Sequence, residues 1–72
     1  LHLKKSPVQV GDLVELSASG RNTVYCRSLR NKTGIVVEIR QKGKYMYPIV
    51  VNWFGAGQVA LLRTSLKFVS RI

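Results

Sequence analysis

The side chains of this chain that could do chemistry are mainly cations, and they concentrate in residues 17–33 and 40–44, two stretches without an acid. Guanidinium groups bind phosphate oxygens through paired hydrogen bonds, and aromatic rings interleaved with cations can stack on exposed bases. If the fold brings both stretches to one end of the molecule, they form a phosphate-binding rim. The residues predicted to form this rim are Arg21, Arg27, Arg30, Lys32, Arg40, Lys42, Lys44, Tyr25 and Tyr45.

The charge of the whole chain points to the same kind of partner. Its 72 residues include 12 Lys and Arg against 3 Asp and Glu, which gives a net charge of +9. An imbalance of this size attracts polyanions, so DNA or RNA bound with little sequence preference is the predicted partner. A basic rim also docks an acidic protein surface, which is the alternative. A third explanation needs no partner: the positive charge only keeps the protein soluble, and the tyrosines pack on the scaffold.

The sequence offers little for catalysis or metal binding. Asp12, Glu15 and Glu38 are its only acids, and neither a set of nucleophile, base and orienting group nor a glycine-rich phosphate cradle can be assembled. Cys26 and His2 are the only residues of their types, whereas a structural zinc site uses about four such ligands. We therefore expect a non-catalytic binding module without a cofactor, a metal or a small-molecule substrate, in which Cys26 is a partly buried small residue.

Five short β-rich segments must position the basic residues. Alternation and turn signals predict strands at 8–16, 34–41, 45–53, 58–62 and 67–72, with one turn of 3₁₀ helix at 63–66 before the last strand. Residues 17–33 form a long polar connection, pinned by Val24, Tyr25 and Leu29, and such a length often indicates function. Trp53 is expected to plug the core or one end of the fold. The predicted core residues are Val14, Leu16, Ile35, Val37, Ile39, Ile49, Val51, Leu62 and Phe68.

The chain is expected to hold one domain at residues 8–72, preceded by a flexible basic lead-in at residues 1–7. No apolar run approaches the roughly 18–20 residues that span a bilayer. A domain of this size and charge is expected to be a monomer or a weak oligomer.

The order of these elements resembles the SH3-like barrel, and two of its branches look similar at residue level. The pattern of KOW-type domains, found in ribosomal proteins and transcription factors, is matched by Gly11-Asp12, Val14, Leu16, Gly20, Lys32, Gly34, Val36 and Ile39. The motifs of the small E-type subunit on the stromal face of photosystem I are similar to Thr33-Gly34-Ile35-Val36, Tyr47-Pro48-Ile49-Val50-Val51 and Ala60-Leu61-Leu62. Small uncharacterised SH3-like proteins of tailed bacteriophages resemble the chain in Tyr47-Pro48 and in Leu62-Arg63-Thr64-Ser65-Leu66.

The resemblance implies an all-β fold, a small five-stranded SH3-like barrel with one 3₁₀ turn before the last strand. It leaves the function open, because SH3-like barrels carry many activities. The photosystem and bacteriophage resemblances imply a protein-docking or assembly module as the alternative to nucleic-acid binding. The lone cysteine and the lack of a long apolar run favour a cytoplasmic location. The resemblance implies that the cell is bacterial or phage-infected, or that the site is the stromal or cytoplasmic face of a membrane if the photosystem resemblance holds.

Overall fold

The computed structural model describes residues 8–40 and 43–71, which form one antiparallel five-stranded sheet with short helical turns. The strands follow the order β4-β3-β2-β1-β5 across the sheet. The elements along the chain are β1 (Asp12–Leu16), helix α1 (Ala18–Arg21), a first 3₁₀ helix (Val24–Leu29), β2 (Thr33–Ile39), β3 (Ile49–Trp53), β4 (Gly57–Leu61), a second 3₁₀ helix (Arg63–Ser65) and β5 (Leu66–Arg71).

The predicted all-β class is confirmed, as are the five strands and the 3₁₀ turn before the last strand. The sheet is not closed as a barrel, since β4 and β5 are its two edges and do not pair within the described residues. The third strand begins at Ile49 instead of residue 45, because Pro48 has no N–H to donate to a ladder. The predicted lead-in at residues 1–7 lies outside the described residues.

The connection between β1 and β2 is helical, which corrects the prediction of a long polar loop. Ser17 caps α1, because its hydroxyl accepts a hydrogen bond from the Gly20 N–H at 3.1 Å. Leu29 pins the first 3₁₀ helix to the core as expected, and Cys26 of the same helix is also buried. Val24 does not take part, since 82% of its surface is exposed.

The core lies on one face of the curved sheet and is only partly the one predicted. Predicted residues that are buried are Val14, Leu16, Ile49 and Val51, and Trp53 is buried as expected. The Trp53 indole N–H has no hydrogen-bond partner among the described residues. Predicted residues that are not buried are Ile35, Val37, Ile39, Leu62 and Phe68.

These errors have local causes. On β2 the inward residues are Gly34 and Val36, and Gly34 is needed because a Cβ there would lie 2.5 Å from Val51 Cγ1 and 3.0 Å from the Trp53 ring. A register shift opposite β3 then makes Val37 an extra residue of the strand. Leu61 takes the inward place on β4, and Leu62 falls beyond the end of that strand.

Candidate functional site

The two basic stretches adjoin opposite ends of β2. Lys32 precedes the first residue of β2 and Arg40 follows the last. Seven residues of strand separate the two cations, and at about 3.3 Å per residue this places them roughly 20 Å apart or more. The described basic residues thus form two groups, one at each end of β2, and the single rim of cations stays a prediction.

The group at the far end of β2, here called the hairpin end, consists of Arg40 and residues 43–47. The Arg40 guanidinium lies 5.0 Å from the centroid of the Tyr45 ring, which is cation–π distance. Lys44, Tyr45 and Met46 are exposed, Met46 by 77%. This end thus presents apolar and basic side chains together. Lys42 and the side chain of Tyr25 lie outside the described residues.

The group at the near end of β2 forms part of a groove around α1. Three open cavities of about 310, 260 and 230 Å³ lie side by side, and neighbouring cavities share wall residues. Arg21 belongs to the first and second cavities, and Ala18 and Lys67 belong to the second and third. We call this continuous surface the basic groove.

The charge of the basic groove is strongly one-sided. Its cations are Arg21, Arg30, Arg63 and Lys67. Among the described lining residues Glu15 is the one acid, and Asn22 and Asn31 add amide groups beside the arginines. Such a surface suits an anion with several charges along its length, because each cation can meet a separate oxygen.

Close backbone packing holds α1, which forms one wall of the groove, against the second 3₁₀ helix. Gly20 lies so near Ser65 that a Cβ on it would collide with the Ser65 carbonyl oxygen. The Ser17 N–H donates to the Ser65 carbonyl at 2.9 Å, and the Ser17 hydroxyl donates to the Thr64 carbonyl at 2.6 Å. The second 3₁₀ helix therefore fixes the position of α1. The relative positions of Arg21 on α1 and Arg63 on the second 3₁₀ helix are fixed with it.

Arg30 is held in place before any ligand binds. Its Nε and Nη2 groups donate to the Arg21 carbonyl oxygen at 2.8 and 2.6 Å. A guanidinium has five N–H donors, so donors remain for an anion in the first cavity. The next residue, Asn31, has φ of 63°, a left-handed conformation that asparagine adopts more readily than most residues.

An ion pair between a buried carboxylate and a half-exposed guanidinium lies on the core side of β5. Asp12 is 1% exposed, and Arg71 meets it with Nε on Oδ1 at 3.0 Å and Nη2 on Oδ2 at 3.2 Å. The Gln9 N–H donates to Oδ2 at 2.8 Å. The Arg71 hydrogen bonds, helped by that of Gln9, hold the Asp12 pKa below its ordinary value of 3.8 although burial opposes this. The same pair raises the Arg71 pKa.

The groove therefore contains only part of the predicted site. Arg21 and Arg30 line it, whereas Arg27 is exposed outside its lining and Lys32 is half-buried outside it. Arg40, Lys44 and Tyr45 belong to the hairpin end. Arg63 and Lys67 were missed because they come from the second 3₁₀ helix and β5, far along the chain from Arg21. The sequence signal related to them is Gly20, whose missing side chain permits the close packing of α1 on the second 3₁₀ helix.

Other kinds of site are not found in the described part of the chain. Burial raises the pKa of the Cys26 thiol and so keeps it protonated. No group of three or more His, Cys, Asp or Glu side chains in residues 8–40 and 43–71 is arranged to hold a metal ion. Within the same residues no helix has the length and apolar character needed to cross a membrane.

Comparison with known proteins gives no match: no protein-family model, no curated protein and no solved structure is significantly similar to this chain. The resemblance to SH3-like, KOW-type, photosystem and bacteriophage proteins therefore stays a prediction from motifs. The geometry of the groove is the basis for the functional proposal.

Proposed function

We propose that this protein binds nucleic acid as a non-catalytic module, with little sequence preference, through the basic groove. The observation that supports the proposal is the set of three open cavities that share wall residues, whose lining includes the cations Arg21, Arg30, Arg63 and Lys67 and one acid, Glu15. Contacts to phosphates position a protein on nucleic acid without reading bases. The net charge of +9 favours encounter with such a polyanion.

The four groove cations set the expected salt dependence. If each neutralises one phosphate, log affinity falls against log salt with a slope of about −3 for a single strand and about −3.6 for a duplex. The helical seating of α1 and the fixed guanidinium of Arg30 reduce the freedom that is lost on binding. Binding should therefore depend on the placement of the cations as well as on their number.

The test uses two double variants that remove the same charge from different places. Arg21→Gln with Lys67→Gln changes two groove cations, and Arg27→Gln with Lys44→Gln changes two exposed cations outside the groove lining. Labelled DNA and RNA oligonucleotides are titrated at two salt concentrations by fluorescence anisotropy. The groove variant should weaken binding roughly tenfold at low salt and reduce the slope by about 1.5 to 2. The control should change affinity by less than about threefold, since only the overall field is altered.

Two results contradict the proposal. Equal losses in both double variants would mean that total charge, and not the groove, is responsible. No binding of any oligonucleotide below about 100 μM at low salt would exclude nucleic acid as the partner, because even non-specific binding lies in the range of about 1 to 100 μM at physiological salt.

The hairpin end favours a second candidate, a module that docks an acidic protein surface. Tyr45, Met46 and Tyr47 are exposed there beside Lys44, and tyrosine and methionine are enriched in protein interfaces. Poly-glutamate serves as the acidic probe. Under this alternative, Arg40→Gln with Lys44→Gln abolishes its binding and the groove variant does not.

A further inference from the structure

We infer that the ligand of the basic groove is a single-stranded nucleic acid and that Phe68 is the platform on which one of its bases stacks. This inference rests on the proposed function, which concerns the phosphates alone. Sequence alternation places Phe68 in the core, but in the structure its side chain is 40% exposed in the wall of the third cavity.

The position of Phe68 follows from the edge of the sheet. Phe68 pairs with Val14 of β1, whose side chain is fully buried, and so lies on the core side of β5. Because β5 is an edge strand, no further strand of the described residues covers the ring. Arg63 and Lys67 line the same cavity. An aromatic ring in the same cavity as cations is a combination that binds single strands, with the cations on phosphates and the ring on a base.

The ring also contacts a cation that is itself held by hydrogen bonds. The Arg71 guanidinium lies 5.4 Å from the Phe68 centroid, and the same guanidinium makes both hydrogen bonds to the buried Asp12 carboxylate. The carboxylate, the guanidinium and the ring thus form a chain of contacts that ends at the groove. A ring that is fixed before binding loses little conformational freedom when a base stacks on it.

A duplex cannot use this platform in the same way. Its bases are already paired and stacked inside the helix, and exposing one requires unstacking energy. A single strand presents base faces at no such cost. Phe68 therefore gives the groove a preference for unpaired nucleic acid, and the aromatic face accepts any base.

The experiment compares Phe68→Leu with Phe54→Leu. Phe54 is the matched control, because it is 55% exposed in the β3–β4 turn and does not line the groove. Phe68→Leu should lower affinity for a single-stranded DNA or RNA oligonucleotide by about five- to tenfold, towards the lower end of the range for one stacked base. Its affinity for a duplex of equal length and its salt slope should not change, because no phosphate contact is lost. Phe54→Leu should bind as the parent does.

A fluorescent variant provides a second measurement that does not depend on affinity. Phe68→Trp retains an aromatic face on which a base can stack, so its emission should be quenched by a single strand. Phe54→Trp should not be quenched, and Trp53 is buried and common to both variants. The Trp53 emission also reports whether Phe68→Leu is folded.

The outcomes separate this inference from the proposed function. Unchanged single-strand affinity in Phe68→Leu, equal affinity of the parent for single strand and duplex, or unquenched Phe68→Trp overturns the stacking platform and leaves the groove proposal standing. Absence of binding by the parent protein overturns both. Separate DNA and RNA arms show which backbone the groove prefers.

Discussion

The two ends of β2 carry the same kind of charge but hold it differently. At the near end, hydrogen bonds fix Arg30 to the Arg21 carbonyl, and Ser17 and Gly20 seat α1 on the second 3₁₀ helix. At the hairpin end, Arg40 has the Tyr45 ring as its neighbour, and Lys44 is exposed. A fixed cation loses less freedom when it meets a ligand than an unrestrained one. The proposed function therefore depends on how the cations are held as well as on how many there are.

The largest expected effect comes from the contact that holds α1 in place. Gly20→Ala places a Cβ against the Ser65 backbone, which cannot yield as a side chain could. Helix propensity favours alanine by about 1 kcal/mol, but overpacking costs about 1–3 kcal/mol, and we expect a net loss of up to about 2 kcal/mol in the free energy of unfolding. Urea unfolding followed by Trp53 fluorescence measures it.

The same variant should weaken oligonucleotide binding, because α1 carries Arg21 and one wall of the groove. Ser19→Ala is the control, since Ser19 is exposed on the same helix, and its stability and affinity should match those of the parent. If Gly20→Ala is as stable as the parent and binds as well, the near end of β2 is no more fixed than the hairpin end.

The second prediction concerns the ion pair behind the groove. Asp12→Asn should lower stability most above about pH 4, because the Asp12 pKa is below its ordinary value of 3.8 in the folded protein. A lowered carboxyl pKa contributes stability above the unfolded pKa and loses it as the pH falls through the folded pKa. The difference in melting temperature between parent and variant should therefore shrink from pH 4 towards about pH 2.

Glu38→Gln is the control for this pH series. Glu38 is exposed on β2 towards the hairpin end, and its replacement should change the free energy of unfolding by no more than about 0.5 kcal/mol. A melting-temperature difference for Asp12→Asn that stays constant from pH 7 to about pH 2 would show that the Asp12 charge does not stabilise the fold.

The third prediction compares one arginine from each end. Arg30→Lys keeps the charge but loses the forked hydrogen bonds to the Arg21 carbonyl, and we expect roughly a threefold loss of oligonucleotide affinity. Arg40→Lys should bind as tightly as the parent. Anisotropy titrations at one low salt concentration are sufficient. A larger loss in Arg40→Lys would reverse the assignment of the two ends.

The smallest effect is expected for an exposed apolar residue of the hairpin end. Met46→Gln alters a side chain that is 77% exposed, so stability should change by less than about 0.5 kcal/mol. Oligonucleotide affinity should not change either, because Met46 lies in the connection that follows β2, whereas Arg30 of the groove precedes β2. A loss of oligonucleotide affinity would place the hairpin end in the nucleic-acid interface.

Much of the scaffold could be predicted from local patterns. The five strands follow from apolar alternation between turn signals, and Gly11 before β1 and Gly55 between β3 and β4 adopt the positive φ angles that favour glycine in turns. The 3₁₀ turn before β5 was placed to within a residue. These features depend on neighbours in sequence, so local chemistry is sufficient to find them.

The face of β2 and the composition of the site could not be predicted in this way. Both faces of β2 carry apolar side chains, so alternation does not show which face points to the core. Gly34 lies on the inward face, where its lack of a side chain leaves room for Trp53, and a glycine gives no apolar signal. The groove joins Arg21 to Lys67 across contacts between distant segments, which no local pattern reports. The density of positive charge in the sequence predicted that the site lies in the loops. Which loops lie on a common surface depends on how the strands pair, and this was not predicted.

The burial of Cys26 makes thiol labelling a measure of local unfolding in this protein. Its thiol is 1% exposed in the first 3₁₀ helix, immediately before the segment that carries Arg30. A thiol reagent in large excess reacts only when this helix swings away from the core, so the labelling rate counts openings of that segment. Oligonucleotide that bridges Arg30 to Lys67 should slow the reaction, and an equal concentration of poly-glutamate that docks at the hairpin end should not.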